Sequence, residues 1–451
     1  MKSVKKTKRV PNGAPSCTFD KRKNIYRASQ ANPNPDVGPR RLEATSADYD
    51  EALEKLRNMA DRARAGLTPT ADKDTVAEWV EVWLDTIARR NVTPNTLRSY
   101  KSILRHHVTP RIGHIKLNKL TADNLNFLYD EIAVAVRDDP KQRGSGIASA
   151  RLAHRVVSRV LKDALIRDKV TRSVAVHATP PSSSTKTRRA MSPEQALQLL
   201  RTAYENDSHF TVPIGVLLFT GVRLGEVLGL TWDRVGLSTK PDGTGGWIDV
   251  TWQLQSLSKD HGCGPADENG NFPCENKRGA YCPQGFFNFA IDYEHVHLTD
   301  SLCLTRPKSG ASIRKIPTTP QLNALLTLQA QKTRGLVANE HDLVFLDDRH
   351  ANQPGVRPLP PRYAWLLFKK CAVEAGLPAD LLVHETRHTT VTILREAGVD
   401  PKTITAIVGH TSTETTEIYT HLGQELARNA LSVLDDLMQL GLPGPGAATA
   451  A

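Results

Sequence analysis

Four short stretches of this 451-residue sequence combine residue types suited to chemistry on a phosphate ester. The first, Thr220-Gly221-Val222-Arg223-Leu224-Gly225-Glu226, carries an arginine with an acidic residue three positions on. The second is Lys308 in Arg306-Pro307-Lys308-Ser309-Gly310, a turn between two β-compatible runs. The third is His384-Glu385-Thr386-Arg387-His388, where His384 and Arg387 at i,i+3 share one helix face. The fourth is Val408-Gly409-His410, followed nine residues later by Tyr419 in Glu417-Ile418-Tyr419-Thr420-His421. Phosphoryl transfer without a metal needs a nucleophile, cationic clamps on the non-bridging oxygens and an acid for the leaving oxygen. Arginine suits the clamp because its planar fork stays charged and grips two oxygens at once. Lysine can deliver a proton, and tyrosine can form a covalent phosphoester that conserves the bond energy. Taken singly, each stretch has a bland explanation: a capping Arg, a solvated Lys, a half-buried Tyr. Their order and spacing favour a common site.

These residues need elements to hold them. Ser192-Pro193-Glu194-Gln195 opens a helix as a capping box. From there to about Leu440 the pattern is mixed, helices around a strand-rich middle, with Trp247–Leu254 and Arg314–Ile316 as strand candidates. Upstream, residues 72–178 read as all-helical. Val76, Trp79, Val80, Trp83, Leu84 and Ile87 make one apolar stripe. Thr93-Pro94 and Thr121 mark two further helix starts, and a fourth helix runs from about Ala148 to Ile166. Residues 1–66 begin basic and loop-rich, then show short β-compatible pieces near Tyr26 and Arg41 and a helix from Ala47 to Ala65, a small sheet-plus-helix module. A Pro/Ser linker occupies 179–190, and 441–451 is a small-residue tail expected to be disordered.

The charge balance points to the partner. The chain carries a formal +11 with a pI near 9.3, which favours a polyanion, nucleic acid before membrane. Residues 1–41 hold eleven Lys/Arg against two Asp/Glu, a local +9 that suits contact with phosphates. Arg98, Lys101, Arg105, Arg151, Arg155 and Arg159 offer the helical segment a basic face, which would equally suit plain solvation. No apolar run reaches the ~20 residues of a membrane helix, and the basic N-terminus lacks the apolar core of a secretory signal. Six cysteines do not suggest a disulfide scaffold, so the chain reads as cytoplasmic and reduced.

The four stretches together resemble the tyrosine recombinases, the family of phage integrases, Xer, Cre and Flp. Arg223 matches the first catalytic Arg and Glu226 its supporting acidic position. Lys308 matches the β-hairpin lysine, His384 and Arg387 the His-x-x-Arg box, His410 the later His/Trp position, and Tyr419 the nucleophile. The resemblance implies that Arg223 and Arg387 clamp the scissile phosphate, Lys308 protonates the 5′-oxygen, His384 and His410 assist, and Tyr419 forms a 3′-phosphotyrosine. It implies a mainly α fold with a small antiparallel β-sheet in the catalytic domain (α+β), here 191–440. Residues 72–178 would be a helical core-binding domain and 1–66 an arm-binding module. The implied partners are double-stranded attachment sites and a homotetramer on DNA, with a DNA-bending host factor and an excisionase as candidates. The implied product is integration, or excision, of a phage or mobile element. No cofactor and no catalytic metal are implied.

One departure from compact relatives is a long stretch between the first Arg box and Lys308, bearing His261, Cys263, Cys274, Cys282 and Cys303. It resembles Cys-bearing insertions in integrases of actinobacterial elements. A zinc site needs four such ligands in tetrahedral reach, and no C-x-x-C pair is present, so structural zinc and an irregular reduced loop both stand. The stretch at 384–388 also spells the H-E-x-x-H of zinc metalloproteases, with Glu as general base. That reading leaves Arg223, Lys308, Tyr419 and the basic arm unexplained. A DNA-binding protein that does not cut would not need the full catalytic set. A type IB topoisomerase would share the chemistry but not the separate arm-like and core-binding segments.

Overall fold

The computed structural model describes residues 15–66, 74–139, 146–182, 189–267, 270–307, 312–350, 356–409 and 421–439. Lys308, His410, Tyr419, residues 1–14 of the basic segment, residues 183–188 of the expected linker and the tail 441–451 lie outside the described residues. The chain divides into two compact units, 1–185 and 186–451, and the described residues bury three separate hydrophobic cores.

The first unit opens with an antiparallel three-stranded sheet, β1 (Ser16–Asp20), β2 (Ile25–Ala31) and β3 (Arg41–Ser46), in that order. The β1–β2 turn is tied by Asp20, whose carboxylate accepts the backbone N–H groups of Arg22 and Lys23. Strand β3 alternates, turning Leu42, Ala44 and Ser46 inward. Helix α1 (Tyr49–Arg64) starts at Asp48, whose side chain accepts the Glu51 N–H, and lays Ala52, Leu56 and Ala60 on the sheet. Full burial of Leu42 and Leu56 stabilises this small core by about 1.5–3 kcal/mol each.

The rest of the unit is helical. A Thr75/Glu78 capping box opens α2 (Val76–Trp83), which runs through a wider turn, Leu84–Ala88, into the short α3 (Arg89–Asn91). Pro94 at the first helical position opens α4 (Pro94–Ile103), which likewise continues through Leu104–Val108 into α5 (Thr109–Ile112). Helices α6 (Ala122–Asp138), capped by Thr121, and α7 (Ile147–Ile166) complete the bundle. Trp79 and Trp83 are fully buried, and α7 satisfies both indoles: Trp79 Nε1 donates to Val160 O at 3.1 Å and Trp83 Nε1 to Asp163 Oδ2 at 2.7 Å. Arg151, Arg155 and Arg159 project to the exposed side of α7 at i, i+4 and i+8.

In the second unit the Ser192/Gln195 box caps α8 (Pro193–Glu205). Every residue of α9 (Thr211–Thr220) is buried, as befits a helix apolar all round. Then come α10 (Leu224–Leu228), β4 (Val235–Gly236), β5 (Trp247–Val250), β6 (Gln253–Ser256), β7 (His295–Thr299), β8 (Leu302–Thr305) and β9 (Arg314–Pro317). Helices α11 (Pro320–Thr333), α12 (Pro361–Glu374), α13 (Val383–Glu396), α14 (Pro401–Val408) and α15 (His421–Leu437) surround them. The fold is α+β, as expected, but the strands of this unit form two antiparallel sheets, β4-β5-β9 and β6-β8-β7. The single strand read across Trp247–Leu254 breaks at Thr251-Trp252. The Arg306 guanidinium lies 3.9 Å from the centre of the Trp252 ring there, and the chain passes from one sheet to the other.

Candidate active site

Arg223 stands three residues past Thr220, the last residue of α9. Gly221, at φ 63°, terminates that helix in a left-handed conformation, and a Cβ there would lie 2.9 Å from Val408 Cγ1. The tight exit leaves Arg223 half-exposed at the start of α10. Its Nη1 donates to Glu226 Oε1 at 2.7 Å, while Glu226 Oε2 accepts the Arg223 N–H at 3.1 Å. Glu226 is itself buried.

Arg387 enters from α13. Thr390 on that helix donates to Leu218 O of α9 at 2.8 Å, and Thr389 accepts the Met191 N–H at 2.9 Å, so α13 is docked by hydrogen bonds as well as by packing. Arg387 is 2% exposed, and its Nη1 donates to Gly221 O at 2.8 Å and to Val408 O at 2.5 Å. Its Nη2 is buried and has no hydrogen-bond partner among the described residues.

A third arginine completes the cluster. Arg314, on the inward face of β9, donates through Nη2 to Glu226 Oε2 at 3.1 Å, through Nε to Ile407 O at 2.7 Å and through Nη1 to Ser312 O at 2.8 Å. Three successive carbonyls at the end of α14 therefore each face a different arginine: Ile407 O takes Arg314, Val408 O takes Arg387, and Gly409 O lies 3.5 Å from Arg223 Nη2. A helix C-terminus is the negative end of its dipole, so cations belong there. Gly409 has φ 73°, and a Cβ on it would come within 2.7 Å of Arg314 Nη1, which explains a glycine at this position.

Two guanidiniums, those of Arg223 and Arg314, thus share one buried carboxylate, and Arg387 stands close enough to feel its charge. Burial pushes the Glu226 carboxyl up, but Arg314 first and then Arg223 overcome it and hold the group below its ordinary range. For Arg387, burial, followed by the like charges of Arg223 and Arg314, pushes the guanidinium down to about 9, against the pull of Glu226. The arrangement has positive charge in excess and a buried N–H donor to spare. An oxyanion answers both.

The structure brings Arg223, Glu226 and Arg387 together as the sequence suggested. His384 lies one turn before Arg387 on α13, exposed, its ring edge-on to His388 with centroids 5.1 Å apart. Arg314 was missed. The available signal was an arginine two residues from Ile316, on the same face of an alternating strand, a register that turns it inward. The H-E-x-x-H reading fares poorly. Glu385 caps α13, accepting the Leu382 N–H at 2.8 Å, and no metal-competent group among the described residues includes His384 or His388.

The sequence pattern of the Phage integrase family matches residues 289–425, and that of the family's N-terminal SAM-like domain matches residues 75–131. An integrase of Saccharopolyspora erythraea is 23% identical over 404 residues, covering 86% of this chain and 88% of that protein. The tyrosine recombinase XerD of Corynebacterium glutamicum is 40% identical over 77 residues, which is 17% of this chain and a quarter (25%) of that protein. This chain belongs to the tyrosine recombinases. The recombinase also shares its fold with the Tn1549 transposon integrase solved with transposon right end DNA, at a TM-score of 0.53 and 18% identity over 79% of this chain and 98% of that one. With the family patterns and the integrase and XerD relatives, the chain is a site-specific DNA recombinase of the integrase kind. The matched region 289–425 contains Lys308, Arg314, His384, Arg387, His410 and Tyr419 of the recombinase, while Arg223 and Glu226 precede it.

Proposed function

We propose that this recombinase cuts and rejoins DNA by two transesterifications through Tyr419. The Tyr419 oxygen attacks the scissile phosphorus, a bond forms from it to the 3′-phosphate, and the bond to the 5′-oxygen breaks. Lys308 supplies the proton that the departing 5′-oxygen takes up, and His384 and His410 assist proton transfer and phosphate contact. Arg223 and Arg387 hold the non-bridging oxygens, with Glu226 and Arg314 fixing Arg223 and the end of α14 around them. Attack by the 5′-hydroxyl of a second strand reverses the steps and releases Tyr419. One observation carries this reading: the arginine cluster, with Arg314 and Arg387 buried, has excess positive charge and an Arg387 Nη2 donor with no acceptor among the described residues. A bound phosphate would supply the missing acceptor and the missing negative charge.

Double-stranded attachment sites are the proposed substrate and a homotetramer on DNA the proposed assembly. The helical bundle would contact core sites and the N-terminal sheet-and-helix module arm sites. A DNA-bending factor and an excisionase would be auxiliary partners, and the work would take place in the cytoplasm. Among the described residues no helix is long and apolar enough to cross a membrane.

The test is a nicked core-site duplex that traps the covalent intermediate. Wild-type recombinase should accumulate a protein–DNA adduct, and Tyr419→Phe should bind the same duplex but yield none, because only one hydroxyl is lost. An adduct of normal yield from the Phe variant would overturn the assignment.

A further inference from the structure

Between β6 and β7 the chain makes a long excursion that the catalytic cluster does not use. Its stem is held by a backbone bridge, with Asp260 N–H donating to Phe286 O at 2.9 Å and Phe286 N–H to Asp260 O at 3.1 Å. Phe287 stacks on Phe289 beside it, and Tyr293 and His295 meet Phe289 edge-on. Beyond this stem the segment has almost no core. Between Ser258 and Glu294, Cys282 is the only buried side chain among the described residues. A segment that buries so little apolar surface lacks the term that normally offsets chain ordering, and small elements of this kind are commonly fixed by a disulfide or a metal.

The side chains that do converge are His261, Cys263, Cys274 and Cys282, whose ligand atoms all lie within 4.8 Å of one another. His261 Nδ1 is 3.4 Å from Cys274 Sγ and 3.9 Å from Cys263 Sγ. A tetrahedral zinc with ordinary Zn–S and Zn–N bonds sets those edges at about 3.6 Å. The His261 ring is held flat against Phe272, centroids 3.5 Å apart and planes 3° apart. Backbone N–H groups of Gln284 and Gly262 reach the Cys282 sulfur. Gly262 and Gly279 permit the close backbone passage: a Cβ on either would come within 2.2 Å and 2.0 Å of a facing carbonyl oxygen. Three thiols cannot pair off into disulfides, and all six cysteines are free. Cys303, the fifth sequence candidate, sits in β8 outside the group.

We propose that His261, Cys263, Cys274 and Cys282 bind one Zn²⁺ that folds this excursion. Three thiolates and one imidazole are a soft tetrahedral set that suits zinc, and four protein ligands leave no open position, which makes the site structural. Zinc takes the thiolate form of cysteine and the neutral form of imidazole, so affinity falls in acid. The metal closes the loop whose far end enters the β7–β8 hairpin, the strand pair that leads to Lys308.

The experiment uses the full chain, purified without chelator, with zinc measured per polypeptide. About one zinc per chain is expected, falling at least tenfold in Cys263→Ser or Cys274→Ser and unchanged in Cys303→Ser and Cys17→Ser. Cobalt loaded into the wild-type chain should show the intense visible bands and thiolate charge transfer of a tetrahedral sulfur-rich site. Trypsin should cut at Lys277 or Arg278 faster after chelation, a readout independent of recombination. Because the serine variants could fail to fold, Cys274→His serves as a second arm: it keeps four ligands and should keep the zinc. The proposal is overturned if the wild-type chain incubated with Zn²⁺ holds substoichiometric metal, if cobalt gives a pale octahedral spectrum, if the serine variants retain full zinc, or if the fresh protein carries a Cys263–Cys274 disulfide.

Discussion

The guanidinium of Arg314 and the carboxylate of Glu226 meet at 3.1 Å with both side chains buried, joining β9 to α10. Neither group has water to fall back on. Removing one partner leaves a buried charge uncompensated, at a cost of about 3–5 kcal/mol. Arg314→Ala and Glu226→Gln should each lower the unfolding free energy of the recombinase by that order, measured by denaturant titration. Acid should act in the same direction. The Glu226 carboxyl is held below its unfolded value, so its contribution is complete above the ordinary carboxylate range and is lost as pH falls through the depressed folded value. Glu226→Gln should therefore flatten the acid limb of the stability curve. A variant as stable as wild type, with the same acid limb, would show that the pair holds nothing together.

The clamp prediction rests on geometry that an ammonium cannot copy. Arg387 spends Nη1 on two carbonyls while its Nη2 has no acceptor among the described residues, so Arg387→Lys should lose either the anchor or the proposed clamp. Arg223→Lys likewise cannot serve Glu226 Oε1 and Gly409 O with one planar group. Each should reduce the single-turnover cleavage rate by on the order of 10²–10³, with duplex binding weakened far less. Cleavage near the wild-type rate by either variant would remove it from the proposed machinery.

Lys308 has a chemical signature of its own. A substrate whose 5′-leaving atom is sulfur departs as a thiolate and needs no proton. Lys308→Ala should be slow on the ordinary duplex and close to wild type on the thio-substrate, measured as adduct formation. Equal slowness on both would assign Lys308 to something other than proton delivery.

The N-terminal module suggests a division of labour. Its sheet and α1 carry their own small core, Leu42 and Leu56 included, and residues 1–41 add a net +9. Two DNA-binding regions on one chain raise the effective concentration at the second site. Deleting residues 1–66 should leave cleavage of a short core-site duplex largely intact, stop recombination of complete attachment sites, and flatten the salt dependence of arm-DNA binding. Recombination of full sites at the wild-type rate by the truncated chain would refute the bridging role.

Much of this was readable from residue order. The capping boxes at Thr121 and Ser192 are local i,i+3 hydrogen-bond patterns, and they open helices where the sequence says they should. The Trp79 and Trp83 stripe is a helical period, and it buries. Residue type and spacing along the chain also selected Arg223 and Arg387, because a phosphate clamp demands planar cations, while Glu226 came with the resemblance to the family. What local pattern could not supply was whatever depends on distant segments meeting. Trp247–Leu254 has the alternation of one strand, yet two different partners, Arg314–Pro317 and Leu302–Thr305, divide it between two sheets. Arg314 reads as an ordinary charged strand residue until β9 is set against the end of α14 and the carbonyls of 407–409 are seen to fan out to three arginines. The cysteines at 263, 274 and 282 have no short-range spacing to betray them. Only the closure of the Asp260–Phe286 stem brings them within reach of His261, because loop closure is decided by where a chain's ends are pinned and not by what lies between them.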